Sequence, residues 1–95
     1  MILRVYRMTV ADGREAEVRD VLKRLVDVVR DLPGCAGAEA MGDIDDPRSV
    51  LFIERWADRA AHEAASAQMP RDALKALVAC LDTPPAAGWF QAING

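Results

Sequence analysis

The chain has 95 residues, 52% of them hydrophobic and 28% charged, with a net charge of −3. That length makes one domain, and so small a domain buries a modest share of its surface, so a second copy would help complete its core. The acidic balance and the lack of a basic block, a signal-peptide pattern or an apolar run of about 18 residues exclude general nucleic-acid binding, anionic-membrane binding and a membrane span; a cytoplasmic location is expected.

Met1–Val10 is rich in β-formers and reads as a first strand. Both of its faces mix apolar and polar groups, so neither is assigned to the helices. Ala11–Asp12–Gly13 is a turn, with Asp12 the expected N-cap of the next element. From Arg14 to Leu32 the apolar residues Val18, Val21, Leu22, Leu25, Val28, Val29 and Leu32 fall at steps of three and four, one stripe of a helix. Its valines lower helix propensity, so its stability must come from burying the stripe against a sheet. Pro33–Gly34 stops it.

Cys35–Asp43 is read as a second strand. The turn from Asp43 to Arg48 joins it to a third, and so short a loop implies an antiparallel pair. The third strand, Ser49–Val50–Leu51–Phe52–Ile53–Glu54–Arg55–Trp56–Ala57–Asp58, organises the chain. Its alternation puts Val50, Phe52, Glu54 and Trp56 on one face and Leu51, Ile53 and Arg55 on the other. Leu51 and Ile53 suit a face under helices. The face with two aromatics and a carboxylate suits a pocket, because Glu is rarely buried unless paired.

Asp58 is the cap of a helix over Arg59–Gln68, broken by Met69–Pro70. Asp72–Leu81 is a further short helix with Leu74, Leu77, Val78 and Leu81 on one face. Ala86–Asn94, with Trp89, Phe90 and Ile93, reads as the last strand. The order β-α-β-β-α(α)-β is the ferredoxin-like split arrangement: α+β, one four-stranded antiparallel sheet with helices on one face. The other sheet face is left open. Trp56, Phe52 and Trp89 are expected there as exposed apolar area that calls for a partner or ligand. There is no internal repeat, linker or low-complexity segment. Cys35 and Cys80 lack metal spacing and read as free thiols that pack as small hydrophobes. With a single His, no zinc site is expected, and Asp45 and Asp46 read as turn formers.

Pro33–Gly34–Cys35 before the second strand, Asp45–Asp46–Pro47 in the hairpin and Glu54–Arg55–Trp56–Ala57–Asp58 closing the third resemble the antibiotic biosynthesis monooxygenase family of the dimeric α+β barrel superfamily. The resemblance spans nearly the whole chain. It implies a homodimer whose two sheets pack into a barrel, with a pocket between each sheet and its helices. It also implies oxygenation of phenols or quinols by O₂ without metal, haem or flavin, the substrate anion itself reducing oxygen. Trp56 matches the family tryptophan at the end of strand three. The polyketide-oxidising members carry a tyrosine six positions on, where this chain has His62, and an asparagine four positions back, where it has Phe52. Quinol-oxidising and signal-processing members carry a helix histidine nearer Ala65. Haem-degrading relatives use an asparagine, a second tryptophan and a histidine at places that look here like Tyr6, Ala65 and the neighbourhood of Leu74, so haem degradation is not expected.

Phenol oxygenation needs a proton acceptor, a donor for the oxyanion and a dry apolar slot. His62 and Trp56 are the expected catalytic pair. Tyr6, Phe52, Glu54 and Trp89 are the expected substrate-binding residues; no metal and no cofactor are expected. Each has a plainer reading: Trp56 packed with its N–H satisfied, His62 on the surface, Tyr6 in the core or an interface, and Glu54 paired with Arg4 or Arg55 or across a dimer rather than held in a dry pocket with a raised pKa. The alternatives to catalysis are a barrel that only binds a small aromatic, and a structural dimer with no ligand.

Overall fold

The computed structural model describes residues 1–95. Its elements are β1 (Ile2–Thr9), α1 (Glu15–Val29), β2 (Cys35–Gly42), β3 (Ser49–Trp56), α2 (Arg59–Ala65), a 3₁₀ turn (Ser66–Gln68), α3 (Arg71–Ala79) and β4 (Ala86–Phe90). The strands pair antiparallel in the spatial order β2-β3-β1-β4. This is the expected split α+β arrangement. The β2–β3 hairpin closes through two side-chain-to-backbone bonds, Asp45 N–H to Asp43 Oδ1 at 2.8 Å and Arg48 N–H to Asp46 Oδ1 at 3.0 Å.

The helix ends depart from expectation in ways the chain explains. Asp12 does not cap α1; the N-cap is Arg14, without a side-chain cap bond. Gly13, at φ +82°, turns the chain so that Asp12 stays outside the first turn. At the other end α1 stops at Val29 rather than Leu32, because Pro33 disfavours helical geometry in the residue before it. Asp58 does cap α2, accepting from Ala61 N–H at 2.8 Å. β4 ends at Phe90, not Asn94, because Phe90 pairs with Leu3 and β1 runs out one residue further at Ile2.

The larger correction concerns the faces of the sheet. Val50, Phe52, Glu54 and Trp56 are buried, whereas Leu51, Ile53 and Arg55 are partly exposed. The helices therefore cover the face with Phe52 and Trp56, and Leu51 and Ile53 lie on the open one, the reverse of the sequence reading. Size decides this. The space between the α1 stripe (Val18, Val21, Leu22, Leu25, Val29) and the sheet takes Met8, Phe52 and Trp56, volume that Leu51 and Ile53 cannot fill. Each stripe residue removed from water contributes about 1.5–3 kcal/mol.

The α3 face also turns. Ala73 and Leu77 are its buried residues, with Cys80 just beyond, while Leu74 and Val78 are 38% and 50% exposed. The buried face of α3, which packs against α1, is that of Ala73 and Leu77, and Leu74 and Val78 are left lining a cavity.

Candidate functional site

Two cross-strand rows build the floor of the site. Glu54 on β3 lies opposite Arg4 on β1, which lies opposite Trp89 on β4; one row along, Phe52 lies opposite Tyr6. Directly after β3 the Asp58 cap starts α2, and one turn later His62 is brought back over the end of the strand. Close docking of α2 depends on Gly34, where an added Cβ would stand 2.6 Å from Ala61 Cβ.

His62 sits at the centre. Its ring meets Trp56 and Trp89 edge-on, at centroid distances of 5.3 and 5.0 Å and interplanar angles of 82° and 90°. Its Nε2 is 3.5 Å from the Tyr6 hydroxyl and 3.8 Å from Glu54 Oε1. Both separations exceed an ordinary hydrogen bond of about 2.7–3.2 Å, which is common in sites that tighten on ligand binding.

Glu54 is 3% exposed. Its Oε1 accepts from Trp56 Nε1–H at 3.0 Å. It does not form the expected arginine pair. Arg55 bonds Glu39 across the open face instead, and the Arg4 guanidinium lies over the Trp89 and Tyr6 rings at 4.7 and 5.3 Å. Arg4 Nε is buried there without a hydrogen-bond partner. Arg59 approaches Trp89 as well, at 5.4 Å.

Burial shifts all three titratable groups of the cavity. It pushes the Glu54 carboxyl above the usual carboxylate range, with the Trp56 N–H and the Arg4 charge opposing in part. It pulls His62 below the usual imidazole value, and Arg4 adds to that. It raises the Tyr6 phenol, helped by Glu54 and opposed by Arg4. All three shifts favour the neutral form.

A cavity of about 310 Å³ opens beside these groups, between the sheet and the helices. Its polar lining is Tyr6, Glu54, His62 and Ser66. Phe52, Met69 and Leu77 form walls, and Leu74, Val78 and Pro85 also line it. A larger hollow of about 630 Å³ lies on the opposite sheet face, lined by groups such as Arg7, Thr9 and Asp43. It is a surface groove with no aromatic or His, and it supplies none of the chemistry above.

Of the six site residues expected from sequence, Tyr6, Phe52, Glu54 and His62 line one cavity. Trp56, wholly buried, and Trp89 stand behind His62 and clamp its ring. The sequence reading had no signal for Ser66 or Met69. Leu74 and Val78 are visible in the sequence only as part of one apolar helix face, with no sign that they border a cavity.

The family model for antibiotic biosynthesis monooxygenase matches residues 1–77. A crystal structure described as an antibiotic biosynthesis monooxygenase superposes with a TM-score of 0.86 at 21% identity, covering 98% of this chain and 99% of that one. SnoaB, a cofactor-independent oxygenase from Streptomyces nogalater, superposes with a TM-score of 0.82 at 26% identity, over 97% of this chain and 92% of that one. Rv0793 from Mycobacterium tuberculosis gives a TM-score of 0.84 at 15% identity, over 99% and 96%. No curated protein is significantly similar in sequence. With the family model matching most of its length, this chain belongs to the antibiotic biosynthesis monooxygenase family.

Proposed function

We propose that the protein is a cofactor-independent monooxygenase that oxidises a small phenolic or quinol-type aromatic with O₂. The observation that carries this reading is an apolar cavity with Tyr6, Glu54 and His62 converging in it. At about 310 Å³ it is at the small end of ligand sites, which run from about 300 to 1,000 Å³. The likeness to SnoaB supports the reaction class.

The chemistry follows from the protonation states. His62, kept neutral near pH 7 by burial, accepts the substrate O–H proton at Nε2. The electron pair stays on the substrate. The Tyr6 hydroxyl, held protonated, donates to the resulting oxyanion. The anion reduces O₂, a C–O bond forms, and a hydroperoxide results. Loss of water then leaves a ketone or quinone. One oxygen atom enters the product and the other leaves as water, and the substrate supplies all four electrons, so no separate reductant is needed. Trp56 and Trp89 fix the His62 ring, and Phe52 keeps the slot dry.

The site works within a homodimer formed through the open sheet face, in this reading. A second reading, a barrel that binds an aromatic without turning it over, is favoured by one observation: the Trp56 N–H is engaged by Glu54 and so is withdrawn from a ligand. Oxygen uptake by the metal-stripped protein with hydroquinones, naphthoquinols and anthrone-like phenols separates the two. Uptake above autoxidation that falls about 10²–10⁴-fold in His62→Ala, the usual contribution of a general base, supports the oxygenase. Saturable quenching of tryptophan fluorescence with no uptake supports the binding module. Rates unchanged in both His62→Ala and Trp56→Phe would remove the site assignment.

A further inference from the structure

Loss of water from a hydroperoxide needs an acid as well as a base, and the cavity holds a group that the reaction above leaves unused. Glu54 reaches the cavity from β3, 3% exposed. Its one hydrogen bond is from a neutral donor, Trp56 Nε1–H at 3.0 Å. The nearest basic nitrogen is His62 Nε2 at 3.8 Å. The charged and titratable groups around it are Arg4 and Tyr6 from β1, His62 from α2 and Cys35 from β2, and Glu63 acts on His62. Arg4 spends its guanidinium on aromatic faces rather than on this carboxyl. A buried carboxyl with one neutral donor and no cation in contact is favoured as the acid.

We propose that Glu54 is a second catalytic residue: a buried carboxylic acid that protonates the oxygen leaving the substrate hydroperoxide, and that recovers its proton from His62 across the 3.8 Å gap between Nε2 and Oε1. The inference rests on the oxygenase reading above. In the first half of the cycle His62 takes the substrate proton and returns it to the peroxide anion. In the second half His62 removes the C–H proton at the carbon bearing the hydroperoxide. That electron pair becomes the C=O π bond, the O–O bond breaks, and the departing hydroxide takes the Glu54 proton and leaves as water. Imidazolium and carboxylate remain side by side, and one proton moving from Nε2 to Oε1 restores both neutral groups. Trp56 is a positioning residue in this scheme, since its N–H fixes the oxygen that His62 faces.

The test is product partition in Glu54→Gln, which keeps an acceptor for the Trp56 N–H and removes the acidic proton. Wild type is expected to give the ketone or quinone with no peroxide. The variant is expected to consume O₂ but accumulate substrate hydroperoxide or release hydrogen peroxide, with ketone formation down by about 10²-fold, the usual scale for a general acid. Glu54→Asp keeps the acid on a shorter arm and is expected to recover part of the ketone. Infrared spectra at pH 7 give a readout independent of turnover: the carbonyl band of a protonated buried carboxyl in wild type, shifted in D₂O and missing from Glu54→Gln. Wild-type product ratios in Glu54→Gln, or the lack of that band, would overturn the role of Glu54 and leave the oxygenase reading standing. No uptake by wild type across the substrate panel would overturn both.

Discussion

Trp56 donates its indole N–H to Glu54, two residues back on the same face of β3, at 3.0 Å. The two residues are 0% and 3% exposed, so Trp56 has no water to turn to and Glu54 meets open space only through the cavity. Each satisfies what would otherwise be a buried, unpaired polar group. In Trp56→Phe the carboxyl loses that donor, which costs about 1–3 kcal/mol, and the smaller ring leaves space that adds to the loss. Urea unfolding at pH 7 is expected to show a stability loss of about 2–4 kcal/mol. A loss within about 0.5 kcal/mol, the range of an ordinary surface change, would mean that the bond contributes nothing.

Glu54 also sets the sign of a pH dependence. Its carboxyl is raised from the usual 4.5, chiefly by burial. Above that value the unfolded chain has released its proton while the folded one still holds it, so the unfolded state binds fewer protons and stability falls as pH rises. The fall starts at the unfolded value and ends at the raised folded one. In Glu54→Gln this loss disappears. The expected outcome is a melting temperature whose gain over wild type is least near pH 4 and grows as pH rises, levelling off once the folded carboxyl ionises. A gain that shrinks with rising pH would mean that the carboxylate is the stabilised form.

His62 moves the opposite way. Burial lowers it from 6.5, so below that value the unfolded chain takes up a proton the folded one resists, and stability is lost as pH falls from 6.5 toward the folded pKa. Because the chain has a single His, its ring C–H resonances in a proton spectrum are unambiguous. Their titration midpoint is expected below 6.5, and a midpoint above 6.5 would contradict a desolvated base. Ligand that excludes more water should lower it further.

The element order was readable because it rests on local signals. The α1 stripe, the Asp43–Arg48 turn and the Asp58 cap each announce themselves within a few residues. The choice of buried sheet face was not readable in that way. Leu51 and Ile53 look more apolar than a face with Glu54, and only the Trp56 N–H that satisfies the Glu54 carboxyl and the volume under α1 reverse the preference. The same holds for the site. His62 is six residues from Trp56, and spacing allowed it to return to the strand end without requiring it. What brings it there is Gly34, whose lack of a side chain is felt only when α2 is in place. Ser66 and Met69 join the cavity through the 3₁₀ turn that closes α2 early, a boundary the alanine-rich sequence does not mark.

Gly34 offers a direct test of that docking. It has φ +83°, and a Cβ there would meet Ala61 Cβ at 2.6 Å. Gly34→Ala adds backbone strain of about 1–3 kcal/mol to a clash that costs about 1–3 kcal/mol when packed side chains must shift. Gly13 is the control: it has a similar φ of +82° with nothing within 4 Å of the added atom, so Gly13→Ala carries the strain alone. Thermal unfolding is expected to rank wild type, Gly13→Ala, Gly34→Ala in falling stability. Aromatic-ligand quenching is expected to weaken only in Gly34→Ala, where α2 is displaced and His62 with it. Equal losses in both variants would show that α2 does not depend on close approach.

The proposed dimer has its own test on the open sheet face. Val5 and Ile53 are cross-strand neighbours there, and Leu3 and Leu51 share that face by alternation. Phe90, opposite Leu3, and Met41, opposite Leu51, are 48% and 44% exposed. The Arg55–Glu39 ion pair lies beside them and supplies polar register. An apolar band of this kind, bare on one side, is the surface expected to pair with a second copy. Ile53→Asp puts a carboxylate at its centre, where burial against a partner leaves the charge unpaired at a cost of about 3–5 kcal/mol. The dissociation constant is then expected to rise by more than about 100-fold, so that light scattering at micromolar concentration reports a monomer where a dimer is expected for wild type. The cavity lies on the far side of the sheet, so aromatic-ligand binding by the monomer is expected to weaken far less than assembly does. A wild-type monomer under the same conditions would remove the barrel arrangement, and collapse of ligand binding in the Ile53→Asp monomer would show that the site needs its partner to hold its shape.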